Sequence, residues 1–358
     1  MIQNSLFISI QQQCDNFRVN PSEEAQPRTR LIAIDMDGTL LGTDGKVSAR
    51  NLAAIRAASD SGIEVVIATG RRHSYAMRVL RGLDLREESV LVSSNGAVVR
   101  TIGARLIGRT FLPHETAMWL CEHLDEFRNA MVITFDMVQP DGDDALGALV
   151  VEELEDLHSS IGKWMTANAP YIEHVVPIEE AILRRELEGQ APIQMMLCGR
   201  VERMRRAEAR LLEHPEVFAV GVTPPERINA ARVTLSRTEY PERDLSLVDI
   251  LPAGCSKGAA LLQLGAKDGI QPAEMMAIGD NWNDLSMLEI AGRAVLMENA
   301  PEDLKELAQA RGWTIGGHHL QDGVAEAIEA LLSMQSGVTQ TTHLEEPEEP
   351  LLSGSLKR

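Results

Sequence analysis

The 358-residue chain carries a formal net charge of -19, with 34 Lys and Arg against 53 Asp and Glu. That balance argues against nonspecific binding to nucleic acid or to an anionic membrane, both of which call for basic surface. At 44% hydrophobic and 24% charged residues, the composition is that of an ordinary soluble globular protein, long enough for two domains or one elaborated domain. Cys14, Cys121, Cys198 and Cys255 lie far apart and form no CxxC, so neither a zinc site nor a disulfide framework is expected, and a reducing cytoplasm fits. No apolar run approaches the roughly 18 residues needed to span a bilayer.

Residues 1–28 read as an N-terminal extension. Their only apolar stretch is Leu6–Ile10 with no basic residue before it, which makes a poor signal peptide. Leu31–Ile34 is short, branched and apolar, the pattern of a strand buried on both faces of a parallel sheet. It runs into Asp35, Asp37 and a turn at Gly38. Two acids at the end of a buried strand repel each other and lose hydration; either a divalent cation compensates them or they form a solvated turn. Val47–Ser61 has helical apolar spacing closed by Gly62, and Ile63–Ala68 is a second strand ending at Thr69-Gly70-Arg71. A helix over His73–Arg81 and a strand at Val90–Val92 continue the alternation expected of a doubly wound parallel sheet. Ser93–Gly96 breaks that rhythm, and Ala97–Arg100 with Arg105–Arg109 reads as a hairpin.

From Thr110 the pattern changes. The expected elements are a helix at His114–Phe127, strands at Met131–Phe135, Ala148–Val151 and Ile193–Cys198, a helix at Val201–His214 and a strand at Val217–Val222. This block, residues 110–246, is long enough to be an inserted α+β domain. Thr223–Pro225 and the polar run Ser236–Arg243 are weakly determined. Strand-helix alternation then resumes, with strands at Leu247–Leu251, Met275–Ile278 and Ala294–Met297. Helices follow at Lys257–Leu264, Asp284–Ala291, Pro301–Ala310 and Asp322–Leu332. The predicted organisation is a Rossmann-like α/β core, residues 29–109 and 247–334, interrupted by the insertion. Residues 335–358, with Glu345–Pro350, read as an acidic, disordered tail.

Four segments fall at predicted strand ends or helix starts: Asp35-Met36-Asp37-Gly38-Thr39, Thr69-Gly70-Arg71, Lys257 and Gly279-Asp280-Asn-Trp-Asn283-Asp284. In a parallel sheet such ends converge on one crevice. The inventory there would be two or three carboxylates for a hard cation, a hydroxyl, a lysine and backbone amides, which suits Mg²⁺ and a phosphoryl group. Taken singly, Lys257 reads as a solvated residue at a helix start; in register with the other three segments it reads as catalytic. Trp282 reads as a packing anchor and Cys255 as a small packed side chain. Gly254–Gly258 lacks the GxxxxGK[ST] spacing of a phosphate loop.

In this order the four motifs, together with Ser94-Asn95-Gly96-Ala97 and Asp322-Gly-Val324, resemble the haloacid dehalogenase superfamily, and within it the Cof-type phosphatases with a large inserted cap. The resemblance covers residues 29–334, strongest at the motifs. It implies that Asp35 is the nucleophile of an aspartyl-phosphate intermediate and Asp37 the acid and then the base. It implies that Thr69, with the amides of Met36 and Gly70, binds the transferring phosphoryl group, that Asn283 reaches it, and that Lys257 neutralises phosphate and nucleophile together. Asp280 would hold Mg²⁺ with Asp35 and the Asp37 carbonyl, Asp284 would support Lys257 or the outer shell of the metal, and Gly38, Thr39 and Asn95 would support the site. Arg71 would be a substrate or structural partner. Dehalogenases of the superfamily lack the acid at the Asp37 position, so the resemblance implies phosphate-ester hydrolysis of a small phosphorylated metabolite. A sugar phosphate leads, with pyridoxal phosphate or flavin mononucleotide as other candidates. A phosphomutase with the same residues and a noncatalytic phosphometabolite-binding protein are the alternatives.

Overall fold

The computed structural model describes residues 27–83, 85–152, 162–219 and 231–341, and within them two sheets form. The first contains β1 (Leu31–Ile34), β2 (Glu64–Ala68), β3 (Val90–Ser93), β4 (Val98–Thr101) and β5 (Leu106–Arg109). The second contains β6 (Met131–Phe135), β7 (Leu149–Val151), β8 (Ile172–His174), β9 (Pro192–Gly199), β10 (Val217–Ala219), β11 (Val233–Tyr240) and β12 (Leu245–Pro252). The chain then returns to the first sheet with β13 (Met275–Gly279), β14 (Arg293–Leu296) and β15 (Thr314–Ile315).

The first sheet has the order β15-β14-β13-β1-β2-β3-β4-β5. β1 lies between β13 and β2, parallel to both, and the parallel pairing extends to β15 on one side and β3 on the other. The hairpin β4–β5 closes the sheet antiparallel. Every residue of β1 is buried. Its alternate side chains enter different cores: Ile32 and Ile34 pack with Ile55, Leu80 and Ile328 on one face, Leu31 and Ala33 with Leu261, Met287 and Leu304 on the other. A continuous apolar run, rather than an alternating one, is what a strand covered by helices on both faces requires.

The second sheet, in the order β10-β11-β12-β9-β6-β7-β8, is mostly antiparallel. The two-residue period of its strands sorts their side chains. Met131, Ile133, Met195, Leu197, Val248 and Ile250 join a core under the helices Val201–Leu212 and Glu179–Leu187. Val132, Thr134, Gln194, Met196, Leu247 and Asp249 point the other way, into a cavity.

Two expectations are corrected. Leu247–Leu251, read as a strand of the first sheet, lies inside the second, hydrogen-bonded between β9 and β11. An apolar run reads alike in either sheet; the partner strand that decides, β11, is drawn largely from the polar run that gave no clear pattern. The final helix spans Gly323–Thr341, so residues 335–341 are helical rather than part of a tail. It is anchored by Val324, Ala325, Ile328 and Leu331, all buried, and by Gln335, whose Nε2 donates to the Thr29 carbonyl at 3.3 Å. The expectations for residues 1–26, Thr223–Pro225 and 342–358 lie outside the described residues. Cys121, Cys198 and Cys255 are buried free thiols. No helix among the described residues is long and apolar enough to cross a membrane.

The helix Lys257–Asp268 starts tightly against Leu285–Ile290: a Cβ on Gly258 would run into the Ser286 carbonyl. Gly258→Ala should therefore destabilise the protein by about 1–3 kcal/mol through overpacking, exceeding the ~1 kcal/mol that Ala gains over Gly in a helix. A lowered thermal unfolding midpoint checks this, and an unchanged or raised midpoint contradicts it.

Candidate active site

The carboxyl ends of β1, β2, β3, β13 and β14 lie on one edge of the first sheet, and each opens into a loop with polar side chains. After β1 the chain makes one wide turn, Met36–Leu40, closed by the Leu41 amide on the Met36 carbonyl at 2.9 Å. Gly38 has φ 79° in that turn, and a side chain there would strike the Asp280 carboxylate. Only glycine meets both demands. The turn leaves Asp35 buried and Asp37 half exposed.

Lys257, fully buried, spans two carboxylates: its Nζ donates to Asp35 Oδ1 at 2.5 Å and to Asp284 Oδ1 at 2.6 Å. Asp284 spends its other oxygen on the backbone amides of Asp280 and Asn281, at 2.9 and 3.0 Å. Asp280 takes the Thr39 hydroxyl at 3.0 Å and lies 3.4 Å from the Asn299 amide, which also donates to the Gly38 carbonyl at 2.8 Å. Oxygens of Asp35, Asp280 and Asp284 lie within 4.8 Å of one another. Three buried carboxylates thus face a single lysine. Burial first, then the Asp284 carboxylate, push the Asp35 carboxyl up to about 7 against the pull of Lys257. Burial and the neighbouring Asp35 raise Asp280 well above the usual carboxylate range. The Lys257 ammonium is held charged: burial opposes it, but Asp284 and Asp35 together outweigh burial. The uncompensated negative charge and the all-oxygen donor set fit a hard divalent cation such as Mg²⁺.

The other predicted residues border this group. Arg71 grips Asp37 with both arms, Nε to Oδ2 at 2.7 Å and Nη2 to Oδ1 at 2.6 Å. The Thr69 hydroxyl accepts the Arg71 amide at 3.1 Å. Asn95 occupies a left-handed backbone position, φ 50°, which Asn tolerates through its short polar side chain. Its side chain packs on Gly70, and its Oδ1 takes the Asn283 amide at 3.4 Å. A Cβ on Gly96 would collide with the Ser256 carbonyl, so this glycine lets the Ser94–Gly96 turn approach the start of the Lys257 helix. Asp35, Asp37, Thr69, Gly70, Arg71 and Asn283 all line a cavity of ≈ 250 Å³ between the two sheets. Its far wall is Val132, Leu149, Trp164, Met196, Leu245 and Leu247, with Thr134, Gln194, Tyr240 and Asp249 as polar points. Met36, Thr39, Lys257, Asp280 and Asp284 stand behind it, buried.

Sequence reasoning missed four residues here. Asn299 lies three residues past the end of β14, on the same sheet edge as Asp280, so the strand-end rule could have found it. Asn281 lies within a recognised motif, but its partner does not: its side chain brackets the Glu239 backbone, donating to the carbonyl at 3.0 Å and accepting the amide at 3.1 Å. Asp249 and Gln194 are buried in the second sheet and bonded to each other. The available signal was an acid inside the apolar run Leu247–Leu251. Trp282, expected to be a packing anchor, packs against the first sheet's core beneath the Arg237 guanidinium.

Asp35 and Asp249, the latter also pushed up to about 7 by burial, hold protons more tightly in the folded chain than in the unfolded one, where a carboxyl sits near 3.8. Raised carboxyl values mean that the folded state binds more protons than the unfolded state between these limits. The cation-free protein should therefore lose stability as pH rises from about 4 to about 7. Adding Mg²⁺ at neutral pH should recover part of that loss, since a ligand of the folded state alone stabilises it. Thermal midpoints across pH, with chelator and with Mg²⁺, check both statements.

Known proteins resemble this chain over most of its length. Residues 32–328 match the family of haloacid dehalogenase-like hydrolases. The chain is 30% identical over 318 residues to the 5-amino-6-(5-phospho-D-ribitylamino)uracil phosphatase YwtE of Bacillus subtilis, across 86% of this chain and 99% of that protein. It is 30% identical over 301 residues to the HMP-PP phosphatase of Serratia proteamaculans, across 84% and 94%. Among solved structures, a haloacid dehalogenase-like hydrolase from Bacteroides thetaiotaomicron shares the fold with a TM-score of 0.60 at 24% identity, across 85% of this chain and all of that one. A protein from Thermotoga maritima does so at 0.59 and 22%, across 84% and 97%. With five polar loops on one sheet edge and a family match across most of its length, the chain belongs to the haloacid dehalogenase-like hydrolases.

Proposed function

We propose that this hydrolase is a Mg²⁺-dependent phosphatase of the Cof type, cleaving a small phosphorylated metabolite through an aspartyl-phosphate intermediate. The observation that carries the reading is the buried group of three carboxylates around Lys257, with Asp35 opening on the cavity. Asp35 attacks phosphorus, an acyl phosphate forms and the bond to the leaving oxygen breaks. Asp37, at the cavity's edge, gives that oxygen a proton; it then takes one from the water that attacks phosphorus and frees Asp35 with inorganic phosphate. Asp35, Asp280 and the Asp37 carbonyl would hold Mg²⁺, which supplies positive charge against the repulsion between an anionic nucleophile and an anionic substrate. Lys257 keeps Asp35 oriented and neutralised, and Asp284 keeps Lys257 in place. Thr69, the Met36 and Gly70 amides and Asn283 hold the phosphoryl oxygens. Arg71 holds Asp37 until substrate enters.

The cavity wall supports a leaving group with an apolar part and a hydrogen-bonding edge facing Thr134, Thr238 and Tyr240. A sugar phosphate, favoured from resemblance, would need its hydroxyls met by the polar lining residues Arg72, Thr134, Thr238, Tyr240 and Asn281, since each hydroxyl buried without a partner costs about 1–3 kcal/mol. The uracil phosphatase among the relatives acts on a substrate that contains a uracil ring.

With Mg²⁺ the protein should release phosphate from p-nitrophenyl phosphate. Asp35→Asn should abolish this, and Asp37→Asn should slow it by about 10²–10⁴-fold, the usual contribution of general acid–base catalysis. Equal rates for Asp35→Asn and the wild type would remove the nucleophile assignment. Within a panel of phosphomonoesters, ring-bearing ones should surpass hexose phosphates in kcat/KM.

A further inference from the structure

β12 sends Leu245, Leu247 and Asp249 towards the cavity, and only the last is charged. A leucine would fill this position at less cost, because a buried carboxylate loses its hydration. Both Asp249 oxygens are instead occupied. Oδ1 accepts the Gln194 side-chain amide from the adjacent strand β9, within the same sheet. Oδ2 accepts Asn95 Nδ2 at 2.8 Å, and Asn95 belongs to the first sheet's loop after β3. Both bonds are directional, and the one to Asn95 crosses from the second sheet to the first, so the two sheets are tied at a defined point.

What lies beyond Asn95 gives the tie its meaning. The Asn95 backbone amide donates to the Thr69 carbonyl at 3.1 Å. Its side chain packs on Gly70, leaving only 3.2 Å to the point a Cβ there would occupy. Its Oδ1 faces the Asn283 amide at 3.4 Å. Thr69, Gly70 and Asn283 are the groups assigned above to the phosphoryl oxygens. One side chain of the second sheet thus reaches, through one asparagine, two loops that hold phosphate. A second, separate tie, Asn281 on the Glu239 backbone, fastens the Asp280–Asp284 loop to β11.

We propose that Asp249 is a positioning residue: through Asn95 it sets the Thr69–Gly70 loop and the Asn283 amide for phosphate, so that the phosphate pocket is complete only when the second sheet is docked over it. This rests on the phosphatase reading. Asp249 touches none of the reacting atoms and acts by way of Asn95.

The test is a double-mutant cycle. Asp249→Asn keeps the shape but turns one amide donor against another. Asn95→Gly removes the relay while still permitting the left-handed backbone. Each single variant should lower kcat/KM for p-nitrophenyl phosphate about ten-fold and raise the inhibition constant of inorganic phosphate by a similar factor, with the thermal midpoint little changed. The double variant should lose no more than the worse single, because both break one path. Losses that multiply, or a phosphate inhibition constant within two-fold of wild type, would overturn the proposal. So would loss of cooperative unfolding in Asp249→Asn, which would mark the residue as structural alone. Binding of inorganic phosphate with Mg²⁺, followed by calorimetry, separates the two readings. If the wild type binds phosphate but turns over no ester, the phosphatase reading fails and the tie is still judged, weaker binding in both single variants supporting it and equal binding overturning it. A wild type that binds no phosphate sinks both.

Discussion

The structure depends on one buried cation between two carboxylates. Lys257 touches Asp35 and Asp284, which lie in the loops after β1 and β13, while Lys257 opens a helix that follows the second sheet. Removing the ammonium would leave both acids buried and unpaired, a change that costs about 3–5 kcal/mol where it has been measured. The close contacts at Gly96 and Gly258 serve the same end, because each lets the start of the Lys257 helix press against its neighbours. Packing and electrostatics therefore solve one problem together: how to hold a lysine in a place with no water.

That solution is deliberately incomplete. One lysine cannot neutralise three buried carboxylates, and burial beside one another raises the carboxyls of Asp35 and Asp280 above the usual range. Asp284 is fully committed to Lys257 and two backbone amides, so the two remaining acids are the ones with oxygens to offer a cation. The fold thus stores part of its electrostatic cost at the site and leaves it for a bound ion to offset. Asp37, two residues along, escapes this group because the wide turn at Gly38 swings it to the cavity edge and onto Arg71. Two acids separated by one residue thus acquire different surroundings.

The second sheet does more than cover the cavity. Its strand period separates the side chains that make its own core from those that face the site, and this makes the wall mostly apolar. Beside the apolar contact of Ile193 with Ala97 and Val98, two of its attachments are polar. Asp249 to Asn95 and Asn281 to Glu239 each join a motif loop to this sheet through directional bonds, whose geometry is more exacting than that of apolar contact. A sheet held in this way is tied to the residues it covers.

Much of this was legible in the chain itself. The unbroken apolar run of β1 announces a strand buried on both faces, and the acids, Thr69, Lys257 and the Asp280–Asp284 loop are local motifs at the ends of local elements. Their convergence follows from the rule that parallel strands present their carboxyl ends on one edge. The second sheet was less legible because its content is relational. Leu247–Leu251 has the pattern of a strand for either sheet, and only its hydrogen bonds to β9 and β11 assign it. Asp249 looks like an isolated acid until Asn95, 154 residues away in sequence, meets it. Local sequence determined which residues could perform the chemistry, since backbone pattern and side-chain type are properties of short segments. Tertiary structure alone decided what surrounds them, because burial and partnership depend on which distant segments arrive at the same place.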